Sequence, residues 1–151
     1  MSGPTRILII DDDESIRNTL SMILEHEGYK VDTAENGKLA IAKSSENFYN
    51  LALIDIRLPD MNGTDLLPSL KETTPKMVKV ILTGYPALNN AVAAVNRGAD
   101  AYLTKPVKTD ELLSVIKEHL NRQRKEVECD EEKITQFFER RVKELETAPA
   151  T

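Results

Sequence analysis

Cysteine is nearly absent from this chain: Cys129 stands alone among 151 residues. A single thiol excludes an internal disulfide framework and a cysteine-rich zinc site. It fits a reducing compartment without requiring one. Long apolar runs are absent too. No stretch approaches the ~18 consecutive apolar residues of a membrane span, and Met1 to Arg6 holds no apolar signal core. Secretion and a membrane partner are therefore not expected, and the cytoplasm is the expected location. Basic excess is the third absence. With 25 acidic against 20 basic residues and a formal net charge of −5, the chain lacks the positive field of a whole-surface nucleic-acid binder. No direct nucleic-acid partner is expected. No internal repeat or low-complexity tract is present. What is there is ordinary for a soluble domain, 40 % hydrophobic and 30 % charged. That suffices for one core without covalent staples.

Along the first 120 residues two kinds of segment alternate. Short apolar runs fall at 7–10, 51–54, 78–82 and 101–103, with a weaker one at 30–34. Helical spacing lies between them: Ile16, Leu20, Ile23 and Leu24; then Leu66, Leu67 and Leu70; then Leu88, Val92 and Val95; then Leu112, Leu113, Ile116 and Leu120. Three of the runs have little polar interruption, as strands covered on both faces do. Five β-α alternations predict an α/β fold, a doubly wound five-stranded parallel sheet with helices on both faces. Gly28 and Gly98 are expected to close the first and fourth helices, and Gly63 to open the third, on grounds of backbone freedom.

Beyond residue 121 the character changes. Of the last 31 residues 15 are charged, and apolar ones recur only at Val127, Ile134, Phe137, Phe138, Val142 and Leu145. This predicts an extended fifth helix, a break near Asp130, a short amphipathic helix, and a frayed end from Thr147. The division expected is a domain at 4–121 and a charged helical tail at 122–151. Leu113, Ile116, Leu120, Val127, Ile134 and Phe137 approximate a heptad seam that Gln123 and Asp130 interrupt. A dimerising coiled coil wants three or more clean heptads.

In a doubly wound sheet, ligands bind beyond the carboxyl ends of the strands. Asp11, Asp12 and Asp13 follow the first run, Asp55 the third, Thr83 the fourth, and Lys105 with Pro106 the fifth. Carboxylates gathered there repel by about 4 kcal/mol per pair at ~4 Å and an effective dielectric of ~20. Such a set calls for a cation, and a hard oxygen set with few protein ligands suits Mg²⁺. An ion and a lysine flanking one carboxylate suit a phosphoryl group, with the carboxylate as nucleophile. The residues thus read as an aspartyl-phosphate site: Asp55 the acceptor, Asp11 and Asp12 the metal holders, Lys105 the counter-ion, Thr83 a hydroxyl that senses the phosphoryl oxygens. Capping of the first helix is the better reading of Asp13.

Four segments in this order resemble the receiver domain of two-component response regulators (the CheY-like superfamily): Ile7-Leu8-Ile9-Ile10-Asp11-Asp12, Asp55 to Gly63, Leu82-Thr83-Gly84, and Tyr102-Leu103-Thr104-Lys105-Pro106. The resemblance covers about residues 4–121. It implies a flavodoxin-like strand order 2-1-3-4-5 and phosphoryl transfer to Asp55 from a phosphohistidine on a sensor histidine kinase. It implies Mg²⁺ held by Asp12, Asp55, the Arg57 backbone carbonyl and, through water, Asp11. Thr83 and Tyr102 form its switch pair, Lys105 contacts the phosphoryl group, and Lys105–Pro106 is cis. The face of the fourth helix, fifth strand and fifth helix docks a downstream protein partner or output domain. Gly84 stands where the family often has alanine. Arg57 and Tyr85 occupy variable positions that tune phosphoryl lifetime; a bulky Tyr85 is expected to slow self-dephosphorylation, which an unchanged half-life in Tyr85→Ala would refute.

Three rival functions compete with this reading. A pseudo-receiver would lack key residues, and all five are present. A DNA-binding factor acting through the tail would need a recognition helix. A hydrolase would need a general acid-base residue near Asp55. A stand-alone receiver, a truncated longer regulator and a homodimer through the tail or the fourth and fifth helices all stay open. The chain is expected to be a switch and not an enzyme of metabolism.

Overall fold

A computed structural model describes residues 3–84 and 87–147. Five strands, β1 (Arg6–Ile10), β2 (Lys30–Ala34), β3 (Leu51–Asp55), β4 (Val78–Thr83) and β5 (Ala101–Thr104), pair in parallel in the order β2-β1-β3-β4-β5. The helices are α1 (Glu14–His26), α2 (Gly37–Glu46), α3 (Gly63–Leu66), α4 (Leu88–Asn96) and α5 (Thr109–Thr147). The three strongest apolar runs are the central strands, and the weaker run forms the part-exposed edge strand β2.

Period-two geometry splits each central strand between two cores. Ile7, Ile9, Leu51, Leu53, Val80 and Leu82 pack with Leu20 and Leu24 of α1 and with Leu112 and Ile116 of α5. Leu8, Ile10, Ala52, Ile54 and Ile81 pack on the other face with Ala40 of α2, Leu66 of α3 and Ala94 of α4. Both faces of these strands are covered, which is why they read as continuous apolar runs.

Local punctuation follows the sequence at several points. The Asp13 carboxylate caps α1, accepting the Ile16 N–H at 3.2 Å. Gly28 (φ +93°) closes α1 with the paired bonds Tyr29 N–H to Leu24 O and Gly28 N–H to Glu25 O, and Gly98 (φ +103°) repeats them after α4. Helix α2 is hidden from an apolar-periodicity reading because its buried residues are Gly37, Ala40 and Ser44 while Leu39 is exposed. Helix α3 stops after one turn and passes into a 3-10 turn at Leu67–Ser69, since Pro68 has no N–H to continue it.

The tail departs from expectation. There is no break at Asp130: α5 runs 39 residues without interruption, about 58 Å. No glycine or proline occurs between Thr109 and Thr147, and Glu, Lys, Arg and Leu dominate. A polar stretch of such residues remains a good helix. The missing apolar residues between Val127 and Ile134 mark where the helix leaves the domain. Gln123 is likewise no interruption. It is buried, and its side chain donates to the Asn50 and Lys76 carbonyls (2.9 and 2.8 Å) while accepting from Asn50 Nδ2 (3.2 Å). The proposed seam therefore divides: Ile116 lies in the core, whereas Ile134 and Phe137 are exposed. The expected fraying beyond Thr147 and the Tyr85 reading lie outside the described residues.

Candidate phosphoryl-acceptor site

The carboxyl ends of β1, β3, β4 and β5 form one sheet edge, and each delivers a polar side chain to it. Parallel pairing sets their level: Ile10 is in register with Ile54, Asp55 with Leu82, and Thr83 with Thr104. Asp11 follows β1, Asp55 ends β3, Thr83 ends β4, and Lys105 follows β5.

Carboxylate oxygens of Asp11, Asp12 and Asp55 all lie within 4.8 Å of one another. Asp11 and Asp55 are buried and Asp12 is exposed. The Lys105 ammonium bridges the buried pair, 2.6 Å from Asp11 Oδ2 and 3.6 Å from Asp55 Oδ2. Asp11 is tied down further: its Oδ1 accepts the Asp13 N–H at 2.9 Å and its carbonyl accepts Arg17 Nη1 at 2.8 Å. Burial pushes the Asp55 carboxyl above its ordinary range. Lys105 opposes that, Asp11 and Asp12 reinforce it, and the Arg57 N–H, which donates to Asp55 Oδ1 at 3.4 Å, opposes it. One lysine against three carboxylates leaves net negative charge in a partly desolvated place, which favours a cation there. Three hard oxygen donors with one side open to water match what Mg²⁺ accepts.

Thr83 is fully buried, and its carbonyl accepts the Lys105 N–H at 2.7 Å. The Tyr102 ring packs against the core cluster that includes Ala94 of α4, and its buried hydroxyl has no hydrogen-bond partner among the described residues. Arg57 is exposed. The Lys105–Pro106 peptide is cis, as expected, and so is Thr74–Pro75.

The loop after Asp55 is closed by Gly63, whose N–H donates to the Ile56 carbonyl at 2.6 Å. Its φ is not positive, so backbone freedom is not its role. A Cβ there would lie 2.2 Å from the Asp55 carbonyl oxygen. Glycine is present because the start of α3 crosses the end of β3 at contact distance.

The family described as the response regulator receiver domain matches residues 7–117. This chain belongs to the response regulator receiver family. Its members are the signalling switches of two-component systems, and accepting a phosphoryl group on aspartate is their general function. The receiver is 36 % identical over 121 residues to the response regulator ArlR of Staphylococcus saprophyticus, covering 79 % of this chain and 54 % of that protein. It spans about half the length of several curated relatives. Among solved structures it resembles a CheY-like receiver domain protein from Methanospirillum hungatei (48 % identity, TM-score 0.79, 82 % of this chain and 99 % of that one). It also resembles a Burkholderia pseudomallei response regulator solved with a phosphorylated aspartic acid, calcium ion and citrate (32 % identity, TM-score 0.70, 84 % and 72 % covered).

Sequence reasoning left two residues near the site without a role. Arg17 reaches the Asp11 carbonyl from the first turn of α1, and Asp60 leaves the loop after Asp55 for the start of α2. Asp60 stood inside a quoted motif, but its partners are 22 and 23 positions away, beyond any local pattern.

Proposed function

We propose that this receiver takes a phosphoryl group on Asp55 from a phosphohistidine of a sensor histidine kinase and thereby changes the surface it offers a downstream protein partner or output domain. The supporting observation is the convergence of three carboxylates beside the Lys105 ammonium. A carboxylate oxygen of Asp55 attacks phosphorus; the P–N bond to the donor imidazole breaks as the P–O bond forms. The departing imidazole takes up a proton. Asp12, Asp55 and the Arg57 carbonyl, with Asp11 through water, would hold Mg²⁺, which when bound would spread the negative charge of the phosphoryl oxygens. Lys105 lies within reach of both buried carboxylates and meets a phosphoryl oxygen on Asp55. The Thr83 hydroxyl turns to the phosphoryl group. Tyr102 follows as the second member of the switch pair; its buried hydroxyl has no hydrogen-bond partner among the described residues. Phosphorylation adds about −1.5 to −2 charges, and the response is a shift between two populated arrangements. The chain is a switch in the cytoplasm, not an enzyme of metabolism. Among the described residues no helix is long and apolar enough to cross a membrane. The chain divides into a receiver, expected at 4–121, and a charged tail, expected at 122–151; the Gln123 bonds carry the receiver's hold on α5 past that boundary. The outer part of α5 exposes Ile134, Phe137, Phe138, Val142 and Leu145, which supports a second copy or the output partner meeting it there.

The test is intact-protein mass after incubation with acetyl phosphate, with and without Mg²⁺, for wild type and Asp55→Asn. A Mg²⁺-dependent gain of one phosphoryl mass in wild type alone is expected. The same gain in Asp55→Asn would move the acceptor elsewhere, and no gain in any sample would leave a donor restricted to its own kinase or the pseudo-receiver, with the weight of the latter raised sharply.

A further inference from the structure

The loop between β3 and α3 is fastened at three levels. At its base is the Gly63 to Ile56 bond. At mid-height Arg57 and Asn62 form an isolated antiparallel bridge, and the Leu58 N–H donates to the Met61 carbonyl at 3.2 Å. At the tip, Asp60 reaches out of the loop: Oδ1 accepts the Gly37 N–H and Oδ2 the Lys38 N–H, both at 2.9 Å.

Those N–H groups open α2. A helix leaves its first N–H groups without internal acceptors. In α2 the Asn36 side chain satisfies Leu39 (2.8 Å) as an ordinary cap. Asp60 satisfies the other two from a different element. Both bonds are charge-assisted and lie at the positive end of the helix dipole, and they hold the Asp60 carboxyl below its ordinary range. Met61 lies flat on the same turn: a Cβ at Gly37 would come 2.4 Å from its sulfur. The helix is itself a firm post, with Ala40 and Ser44 buried and Lys43 Nζ bonded to the Thr33 carbonyl. Asp60 is exposed and is not one of the three clustered carboxylates. Whatever it contributes to the site passes through the loop that begins at Asp55 and carries the Arg57 carbonyl.

We propose that Asp60 is a positioning residue for phosphoryl acceptance: by tying the loop tip to the first turn of α2, it keeps the Asp55–Arg57 segment in register for the ion and the incoming phosphoryl group. This rests on the reading of Asp55 and its neighbours as the acceptor site. A contact that orients groups holding an ion affects affinity without touching the ion.

The experiment uses the full chain as wild type, Asp60→Ala, Asp60→Asn and Asn36→Ala. Mg²⁺ affinity is measured by titration calorimetry, phosphorylation by acetyl phosphate at saturating and sub-saturating Mg²⁺, and thermal midpoint by circular dichroism. Asp60→Ala is expected to weaken Mg²⁺ binding roughly ten-fold and to slow phosphorylation most at sub-saturating Mg²⁺. Asp60→Asn keeps an acceptor oxygen and recovers part of both. Asn36→Ala removes a cap from the same helix but no bond to the loop, so it lowers the midpoint and leaves Mg²⁺ affinity at the wild-type value. The inference is overturned if Asp60→Ala binds Mg²⁺ as wild type does, or if Asn36→Ala loses the same affinity, because Asp60 is then only a helix cap. A wild type that neither binds Mg²⁺ nor gains phosphate overturns the acceptor reading and this inference with it, and does so before any substitution is compared.

Discussion

Replacing Gly63 by alanine tests whether close approach, and not backbone freedom, governs that position. The new Cβ would lie 2.2 Å from the Asp55 carbonyl oxygen, 2.9 Å from Ile56 Cα and 3.0 Å from the Asp55 carbonyl carbon. All three are backbone atoms, so no side chain can swing aside. Ordinary contacts to carbon need about 3.5 Å, so the end of β3 and the start of α3 must part by about 1 Å. Overpacking of this kind costs about 1–3 kcal/mol. The same movement breaks the 2.6 Å Gly63–Ile56 bond, adding about 1 kcal/mol. A total of about 2–4 kcal/mol corresponds to a midpoint lower by roughly 6–12 °C in a chain of this size. Gly28→Ala meets nothing within 4 Å but sits at φ +93°, so strain alone costs about 1–2 kcal/mol. Gly84→Ala has neither problem among the described residues and is expected to be neutral or stabilising by up to about 1 kcal/mol. Urea and thermal unfolding followed by far-UV circular dichroism rank the three. Because the same ~1 Å moves Asp55, phosphorylation of Gly63→Ala by acetyl phosphate should fall by about 100-fold. A Gly63→Ala protein as stable as Gly28→Ala, or phosphorylated at the wild-type rate, would refute the close-contact argument.

Gln123→Leu keeps the volume but strips partners from the Lys76 carbonyl and Asn50 Nδ2; a loss of about 2–3 kcal/mol is expected in urea unfolding, and an unchanged midpoint would show that α5 is held by its apolar contacts alone. Tyr49→Phe removes the 2.6 Å bond to Asp32 Oδ2 and should cost about 1 kcal/mol at pH 7. Burial raises the Asp32 carboxyl, but hydrogen bonds from Tyr49 and Arg6 and the charges of Arg6 and Lys43 outweigh it and hold the group below its ordinary 3.8. Its contribution is therefore present above that value and lost as pH falls through the lower folded one, so the gap between wild type and variant should close below about pH 4; a pH-independent gap would sink the account. Ile134→Glu with Phe138→Glu puts charge on the exposed stripe of α5 and leaves the core untouched; light scattering should show any concentration-dependent dimer of the wild type dissolve, with no change in midpoint at a concentration where both are monomeric. Equal dimerisation of the variant would place the interface elsewhere.

Several features were legible from residues close together in sequence. The five strands and the alternation with helices come from runs of apolar residues and from turn punctuation, both local. The clustering of the candidate site was legible for a related reason: each of its side chains stands at the end of an apolar run, and parallel strands bring those ends to one edge. Asp13 as a helix cap needs only a neighbour three positions on.

Other features depend on partners far away in the chain. The wide polar gap in α5 reads as a break until one sees the helix leave the domain there. Gln123 reads as a fault in a seam until Asn50, 73 positions distant, and Lys76 are seen to saturate it. Gly63 reads as a flexible residue until β3 is laid across it. Asp60 has no evident role until α2 is set beside the loop. In short-range order the sequence by itself determined strands, caps, fold class and the residues of the acidic site, because apolar runs, turn residues and strand ends are local properties. Only the tertiary structure decided which face each strand residue supports, which carboxylates Lys105 bridges and at what distance, and which polar residues anchor α5 and the acceptor loop. Those depend on contacts between elements, and a polar side chain's role is set by the group that finally answers its hydrogen bonds.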